Sequence, residues 1–376
     1  MAMNTNSIKR FTTTTLHLGL ASLVGWAGSA IALSSPVAAQ VDTRTFETFA
    51  DWCIHKENLT PASRHTVTVL LETAGTADCE AANYDLTNRS ALSIGAITDV
   101  TPIASLSNLT ELSLFNGQIT DVAPLARLTH LERLYLWENA ITDVTPLAQL
   151  PQLTTLSLAN NAITDIEPLA ALPNLVWLNL DGNRLQDISP LRHLSDLTHL
   201  ALENNQIDDI GPLAHFADLE ALFLNDNALT DVTALAGLTT LKNLVLEGNQ
   251  ITDVSPLAGL VQLTSLNISH NQIQTVAPLG GLTRLGELAL SGNDIADLTP
   301  LAGLTDLVEL YLNENAIADI TPLTGLTQLS WLALADNAIV EVSPLAQLTR
   351  LLGLDLSNNP LREAACPIAQ SDHCQI

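Results

Sequence analysis

The chain of 376 residues is 47% hydrophobic and only 4% aromatic, and its 40 acidic residues far outnumber its 14 basic ones. The net charge of −26 disfavours nucleic acid and anionic membranes as partners, because the attraction for phosphate that dominates such binding is missing. The apolar content is sufficient for buried cores, and this length alone would suggest two or three globular domains.

Residues 1–39 have the layout of a secretory signal peptide. Lys9 and Arg10 precede an apolar run over about residues 16–33, and small residues follow up to Ala39, where we expect cleavage. An uncleaved membrane anchor is the alternative, but the run is short and is diluted by glycine and serine. We therefore expect a secreted, periplasmic or cell-surface protein without membrane insertion after cleavage, whose mature chain has a net charge of 12 − 40 = −28.

Residues 40–86 are predicted to form a helical N-terminal cap. Thr60 and Pro61 are residues that favour the start of a helix, and Gly75 favours its end. Apolar residues recur at helical spacing just before that helix, at Phe46, Phe49, Trp52 and Cys53. This stripe predicts a buried face rather than a binding site.

Residues 87–361 repeat with a period of 22 residues. Leucine recurs in register from Leu109 to Leu351, which gives eleven full units and a truncated twelfth, and a degenerate copy precedes them from Leu92. The consensus is L-x-x-L-x-L-x-x-N-x-I-x-D-V-x-P-L-x-x-L-x-x. Such a period predicts a solenoid of about 12–13 coils, in which each unit buries its apolar face against its neighbours.

Each consensus position has a predicted role. The L-x-L segment alternates with period two and therefore predicts a short strand with both leucines on one side. The ninth position is asparagine in eleven units, with Gly117 as the exception, and predicts a structural ladder of amides between neighbouring coils. The aspartate at the thirteenth position is expected to cap a turn, and the alternative is a row of Ca²⁺ ligands. In a coil of 22 residues, the return leg, which is the segment that connects one strand to the next, has room for a 3₁₀ turn.

The motif, as in "LTTLSLANNAITDIEPLAALPN" from Leu153, resembles the leucine-rich repeat family and specifically the 22-residue bacterial type found in internalins. The resemblance implies an α/β leucine-rich repeat solenoid with a parallel sheet on its concave face and helical turns on its convex face. It also implies a role in binding other proteins.

The four cysteines lie at the two ends of the repeat array. Three pairings are possible, but an array of this length separates the two ends by roughly 60 Å at about 4.8 Å per strand, and a disulfide needs α-carbons within about 7 Å. We therefore predict the bridges Cys53–Cys79 and Cys366–Cys374, the second one within a C-terminal cap of residues 362–376. Export makes their oxidation reasonable.

Aromatic residues are concentrated on the predicted concave face. Consensus positions 3, 5 and 7 alternate with the strand leucines and must face outward. Seven of the eight aromatic residues after Leu109 occupy them, and the eighth, Phe216, replaces a core leucine. Because such rings are enriched at binding hot spots, we predict a partner-binding set that also includes one basic residue: Phe115, Arg133, Tyr135, Trp137, Trp177, Phe223, Tyr311 and Trp331.

The same face is acidic, with carboxylates at Glu111, Asp181, Glu203, Glu247, Glu287, Glu309 and Asp355. These charges would complement a protein partner with a basic and apolar surface. We expect the dominant contact in the first coils, where Phe115, Tyr135, Trp137 and Trp177 lie, and a second one near Tyr311 and Trp331. A monomer is expected.

No catalytic or cofactor motif accompanies this surface. His199 and Glu203 share the concave face of one coil, but neither a nucleophile nor a third ligand lies beside them in the repeat. We therefore predict a protein that is not an enzyme, with no cofactor and no metal site. The alternative function is that of a carbohydrate-binding or cell-envelope structural protein, because exposed Trp and Tyr rings also stack on sugars.

Overall fold

The computed structural model describes residues 46–362, 366–367 and 373–376. The predicted signal peptide of residues 1–39 lies outside the described residues and stays a prediction. Within them, no helix is long and apolar enough to span a bilayer.

Three α-helices precede the repeats, and the hydrogen bonds at their ends explain their bounds. The Thr60 hydroxyl accepts a hydrogen bond from the Ser63 amide at 3.1 Å, and Gly75 ends the second helix in a left-handed conformation with φ 69°. The third helix was not predicted, although Asp78 caps it by accepting from the Ala81 amide at 2.8 Å. The helices are α1 (Phe49–Ile54), α2 (Pro61–Ala74) and α3 (Cys79–Thr87).

The described part of each coil contributes one strand to a single parallel sheet of fourteen strands, in which each strand pairs with its neighbours in chain order. The register is fixed by the repeat, so that Leu134 lies opposite Leu156 and Leu156 opposite Leu178. The strands are β1 (Ala91–Gly95), β2 (Glu111–Phe115), β3 (Arg133–Tyr135), β4 (Thr155–Ser157), β5 (Trp177–Asn179), β6 (His199–Ala201), β7 (Ala221–Phe223), β8 (Asn243–Val245), β9 (Ser265–Asn267), β10 (Glu287–Ala289), β11 (Glu309–Tyr311), β12 (Trp331–Ala333), β13 (Gly353–Asp355) and β14 (His373–Gln375).

The return leg of each described coil is a five-residue 3₁₀ turn, as its length predicts. The aspartate at the thirteenth consensus position caps this turn: the Asp143 carboxylate accepts from the Thr145 amide at 2.8 Å. The turns are Thr101–Ser105, Ala123–Arg127, Thr145–Gln149, Glu167–Ala171, Ser189–His193, Gly211–His215, Thr233–Gly237, Ser255–Gly259, Ala277–Gly281, Thr299–Gly303, Thr321–Gly325 and Ser343–Gln347.

The core lies between the sheet and these turns. The consensus leucines and isoleucines are essentially inaccessible, as in the coil with Leu153, Leu156 and Ile163, all 0% exposed. Phe216 is buried in place of a leucine, as predicted. The predicted leucine-rich repeat solenoid, with its helical N-terminal cap, is confirmed.

The asparagine at the ninth position connects successive coils through backbone groups. Asn183 accepts from the Ile163 amide of the preceding coil at 3.0 Å, and its Nδ2 donates to the carbonyls of Leu158 and Leu180 at 3.0 Å each. The same acceptor and donor pattern recurs at every consensus asparagine from Asn139 to Asn359. The ladder therefore satisfies buried backbone groups that strand pairing leaves free.

The two ends of the array each contain a disulfide. Cys53 and Cys79 join α1 to the start of α3 with α-carbons 5.5 Å apart, and the α-carbons of Cys366 and Cys374 lie 6.3 Å apart. The C-terminal end also contains a short strand that was not predicted: β14 pairs with β13 and extends the sheet. The domain limits at residues 40–86, 87–361 and 362–376 stay predictions.

Candidate functional site

The strand residues that alternate with the core leucines form the concave surface. Six of the seven aromatic residues predicted there are half-buried, and Trp331 is 38% exposed. Small residues of the same face that lie next to the rings are buried instead, among them Ser157, Ala159, Ala201, Ala221, Ala333 and Ala335. The rings therefore belong to the accessible surface, and they also shield the small side chains beside them from solvent.

Phe115, Tyr135 and Trp137, which we call the N-terminal aromatic cluster, lie on and just after β2 and β3. The rings of Phe115 and Trp137 are stacked with their centroids 4.8 Å apart and their planes within 8°. Gly95 of β1 lies against the Phe115 ring, where a Cβ atom would come within 2.9 Å of it. Within the cluster, Phe115 and Trp137 thus form a packed ring pair.

Charged groups border this cluster on one side. The Arg133 Nε lies 2.9 Å from a carboxylate oxygen of Glu111, and Glu132 lies 3.7 Å from the same guanidinium. Burial raises the pKa of Tyr135, and the nearby charge of Glu111 raises it further, so the phenol stays protonated. Arg133, predicted as a partner-binding residue, is therefore held in an ion pair with Glu111 of the same concave face.

Tyr311 and Trp331, the C-terminal aromatic pair, lie on β11 and β12. The Tyr311 hydroxyl donates to Glu309 at 2.6 Å, and burial together with this bond raises the pKa of Tyr311. The Trp331 ring covers Gly353, at which a Cβ atom would overlap the ring. The two side chains are therefore held in place by a carboxylate and by a glycine of the next coil.

Between these groups the concave surface contains a depression of about 330 Å³ over β5, β6 and β7, which we call the central depression. Trp177 and Phe223 line it, together with Asp181, Glu203 and His199. Sequence reasoning grouped Trp177 with the N-terminal cluster, and the structure places it with Phe223 instead. The register places Trp177 on β5 and Phe223 on β7, on the same face of the sheet with β6 between their strands.

The carboxylates of the central depression are poorly solvated. Burial and the neighbouring charge of Glu203 raise the pKa of Asp181 to about 6, although Asp181 accepts from the Glu203 amide at 2.7 Å. Burial also raises the pKa of Glu203, and Asp226 and Glu247 add to this effect. Within residues 46–362 neither Asp181 nor Glu203 forms an ion pair, so their charges have no internal counter-charge.

The convex side has a different chemistry. A depression of about 600 Å³ lies among the 3₁₀ turns and is lined by residues such as Ala148, Pro168 and His193, without an aromatic ring. The capping aspartates beside the turns accept from backbone amides. Hydrogen bonds from the side chain and the backbone amide of the residue two positions on lower the pKa of Asp143, Asp253 and Asp319. Among the described residues no group of three or more His, Cys, Asp or Glu side chains is placed to hold a metal ion.

Comparisons with known proteins agree on the repeat. Two family models match: leucine rich repeats in two copies, over residues 129–171, 173–215 and 283–325, and a leucine rich repeat, over residues 195–251 and 239–295. No curated protein matches the sequence.

Several solved structures are similar. An internalin, InlF, from Listeria monocytogenes is 32% identical over 82% of this chain and 94% of its own, with a TM-score of 0.78. A leucine-rich repeat protein of Leptospira interrogans is 26% identical over 74% of this chain and 81% of its own, with a TM-score of 0.69. The ectodomain of the Arabidopsis thaliana receptor kinase GASSHO1/SCHENGEN3, solved with CASPARIAN STRIP INTEGRITY FACTOR 2, is 24% identical over 73% of this chain and 39% of its own, with a TM-score of 0.58.

Proposed function

The chain belongs to the leucine-rich repeat family, in its internalin-like form, and from this premise we propose that it is an exported protein that binds a protein partner through its concave face. The fold is typical of modules for protein–protein interaction, and the internalin-like family is generally non-enzymatic. The protein acts without catalysis and without a cofactor.

The placement of the aromatic residues is the observation that carries this proposal. Rings that stay partly exposed on a rigid sheet bury apolar area at little cost in conformational entropy when a partner covers them. The convex side of residues 109–362, by contrast, presents no aromatic ring to solvent, since Phe216 is buried. The N-terminal aromatic cluster provides the main contact, and the C-terminal aromatic pair provides a second one.

Charge and compartment define the partner further. The concave face combines carboxylates with apolar rings, so the partner presents basic and apolar groups to a single copy of this protein. Two disulfides fit an oxidising compartment, which supports export.

The direct test is to remove both concave-face rings of one coil. We expect Tyr135→Ala with Trp137→Ala to weaken binding of the partner at least 30-fold, because two hot-spot side chains are truncated together. The partner is first identified by screening the purified protein against extracellular proteins, and affinities are then measured by isothermal titration calorimetry.

A matched control separates this effect from a general loss of apolar surface. Tyr84→Ala removes a ring that is 75% exposed on α3, away from the sheet, and it is expected to leave the affinity unchanged. If the double variant bound as tightly as Tyr84→Ala while both were folded by circular dichroism, the concave-face assignment would be wrong.

A carbohydrate-binding or cell-envelope structural role is the second candidate. The observation that favours it is the stacked pair of Phe115 and Trp137, because aromatic rings stack on sugars as well as on side chains. Binding to a glycan panel that is lost in the double variant, with no protein partner found, would establish this alternative in place of the first.

A further inference from the structure

The central depression combines two aromatic walls with uncompensated negative charge, and we propose that it binds an arginine side chain of the protein partner. The inference rests on the proposed function and specifies the chemistry of the partner at one place on the concave face. Three features of the depression lead to arginine.

The first feature is the spacing of the walls. Trp177 lies on β5 and Phe223 on β7, with β6 between them, so their backbones are separated by roughly 10 Å at about 4.8 Å per strand. In the register of β6, His199 lies opposite Trp177 and Ala201 lies opposite Phe223, so the two rings are also offset along the strands. The small side chain of Ala201 is buried and leaves space open beside Phe223. A planar guanidinium and its aliphatic stem fit beside such rings, because arginine stacks on aromatic faces.

The second feature is the set of acceptors at the depression. The carboxylates of Asp181 and Glu203 line it, and the Oδ1 atom of Asn225, beside Glu203, is buried with no hydrogen-bond partner among the described residues. No basic side chain of residues 46–362 is paired with either carboxylate. The ionised carboxylates of Asp181 and Glu203 accept hydrogen bonds and donate none, and the free Oδ1 of Asn225 is a further acceptor, so they match a ligand that only donates.

The third feature is the difference between arginine and lysine. Arginine presents five N–H donors in a flat fork and can bind two acceptors at once, whereas the ammonium of lysine is a compact and strongly hydrated charge. Two adjacent carboxylates beside aromatic rings favour the fork. A metal ion is a poorer fit, because no three potential ligands converge within the described residues.

The raised pKa of Asp181 adds a pH dependence to this interaction. Glu203 and His199 face Asp181 from the next coil, and Asp226 and Glu247 lie beyond them, so acidic groups surround it with one histidine. An arginine stabilises the ionised carboxylate and must displace a proton when Asp181 is protonated. Binding therefore weakens as the pH falls through about 6.

The test uses short peptides as probes on the full protein. Acetylated and amidated Gly-Arg-Gly is titrated by NMR at pH 7.5 and compared with the same peptide containing lysine or the neutral isostere citrulline. We expect the arginine peptide to bind most tightly, the lysine peptide several-fold more weakly and the citrulline peptide not measurably. Asp181→Asn with Glu203→Gln should weaken the arginine peptide at least tenfold.

The control changes the same number of charges elsewhere. Asp218 and Asp306 are exposed in loops outside the depression, and Asp218→Asn with Asp306→Asn is expected to leave the affinity of the peptide within twofold. Equal weakening in both double variants, equal binding of arginine and citrulline peptides, or no binding of the arginine peptide at millimolar concentration would each overturn the proposal.

The proposed function is judged separately. If a protein partner bound through Tyr135 and Trp137 but ignored the change at Asp181 and Glu203, the arginine site would fail and the proposed function would stand. If the peptide bound as expected but no protein partner depended on the aromatic rings, the arginine site would stand and the proposed function would fail.

Discussion

Asn183→Ala is expected to lower the free energy of unfolding by about 3–5 kcal/mol, because it leaves several buried backbone groups unpaired at once. The amide of Ile163 loses its acceptor, and the carbonyls of Leu158 and Leu180 lose a donor. Asn183 is only 7% exposed and is enclosed by leucines that are 0% exposed, so water cannot replace these bonds without opening the core.

The position of Asn183 within the array adds to this effect. Coils contact only their neighbours, so a weakened interface between two coils can divide the solenoid into parts that unfold separately. Urea unfolding followed by circular dichroism should therefore show a lower midpoint and a broader or biphasic transition. The control Asn174→Ala removes an exposed asparagine that donates only to the Pro151 carbonyl, and its effect should be small. A midpoint for Asn183→Ala equal to that of this control would contradict the structural role of the ladder.

The repeat makes most of this architecture predictable from sequence. With one residue such as Leu134 assigned to the core, a period of two within the strand and of 22 along the chain places Tyr135 outward and Leu156 inward without further information. The same logic predicts the capping aspartates, since a short acceptor before a turn has few other partners. Periodic positions are predictable because each one meets the same neighbours in every coil.

The features that escaped prediction depend on particular side chains. The period places Trp177 and Phe223 on the same face. It does not determine the direction in which each ring leans, and this direction decides whether the two rings line one depression. The eighth consensus position is left-handed throughout the described coils. Most of its residues are Asn, Asp or Gly, which adopt this conformation readily, but Glu138 with φ 55° and Glu314 do not signal it. Helix α3 lacks a clear apolar stripe, and β14 follows the last repeat unit, where the period gives no register.

Asp181→Asn is expected to stabilise the protein at neutral and alkaline pH. The pKa of Asp181 rises from 3.8 to about 6 on folding, so the folded state binds the proton more tightly than the unfolded state. The stability that this proton contributes is complete below 3.8 and is lost as the pH rises through about 6. At about 1.36 kcal/mol per pKa unit the loss amounts to at most about 3 kcal/mol in the wild-type protein.

The asparagine variant avoids that loss because it carries no charge, and its Oδ1 can still accept from the Glu203 amide. Urea unfolding of both proteins should therefore give similar free energies at pH 4 and a variant that is about 1–3 kcal/mol more stable at pH 8. Comparing the two proteins at each pH cancels the titration of the carboxylates that do not interact with Asp181. A difference that was constant with pH, or that favoured the wild type at pH 8, would show that Asp181 is not destabilised by its ionisation.

A carboxylate whose ionisation destabilises the fold can contribute to binding only if a ligand stabilises its charge. In the structure the charge that acts on Asp181 is that of Glu203, which opposes ionisation rather than supporting it. A bound arginine would supply the missing counter-charge, so the stabilising effect of Asp181→Asn should disappear, or reverse, when unfolding is measured at pH 8 with saturating arginine peptide. If the variant remained equally more stable than the wild type under those conditions, the buried charge of Asp181 would destabilise the fold without contributing to ligand binding.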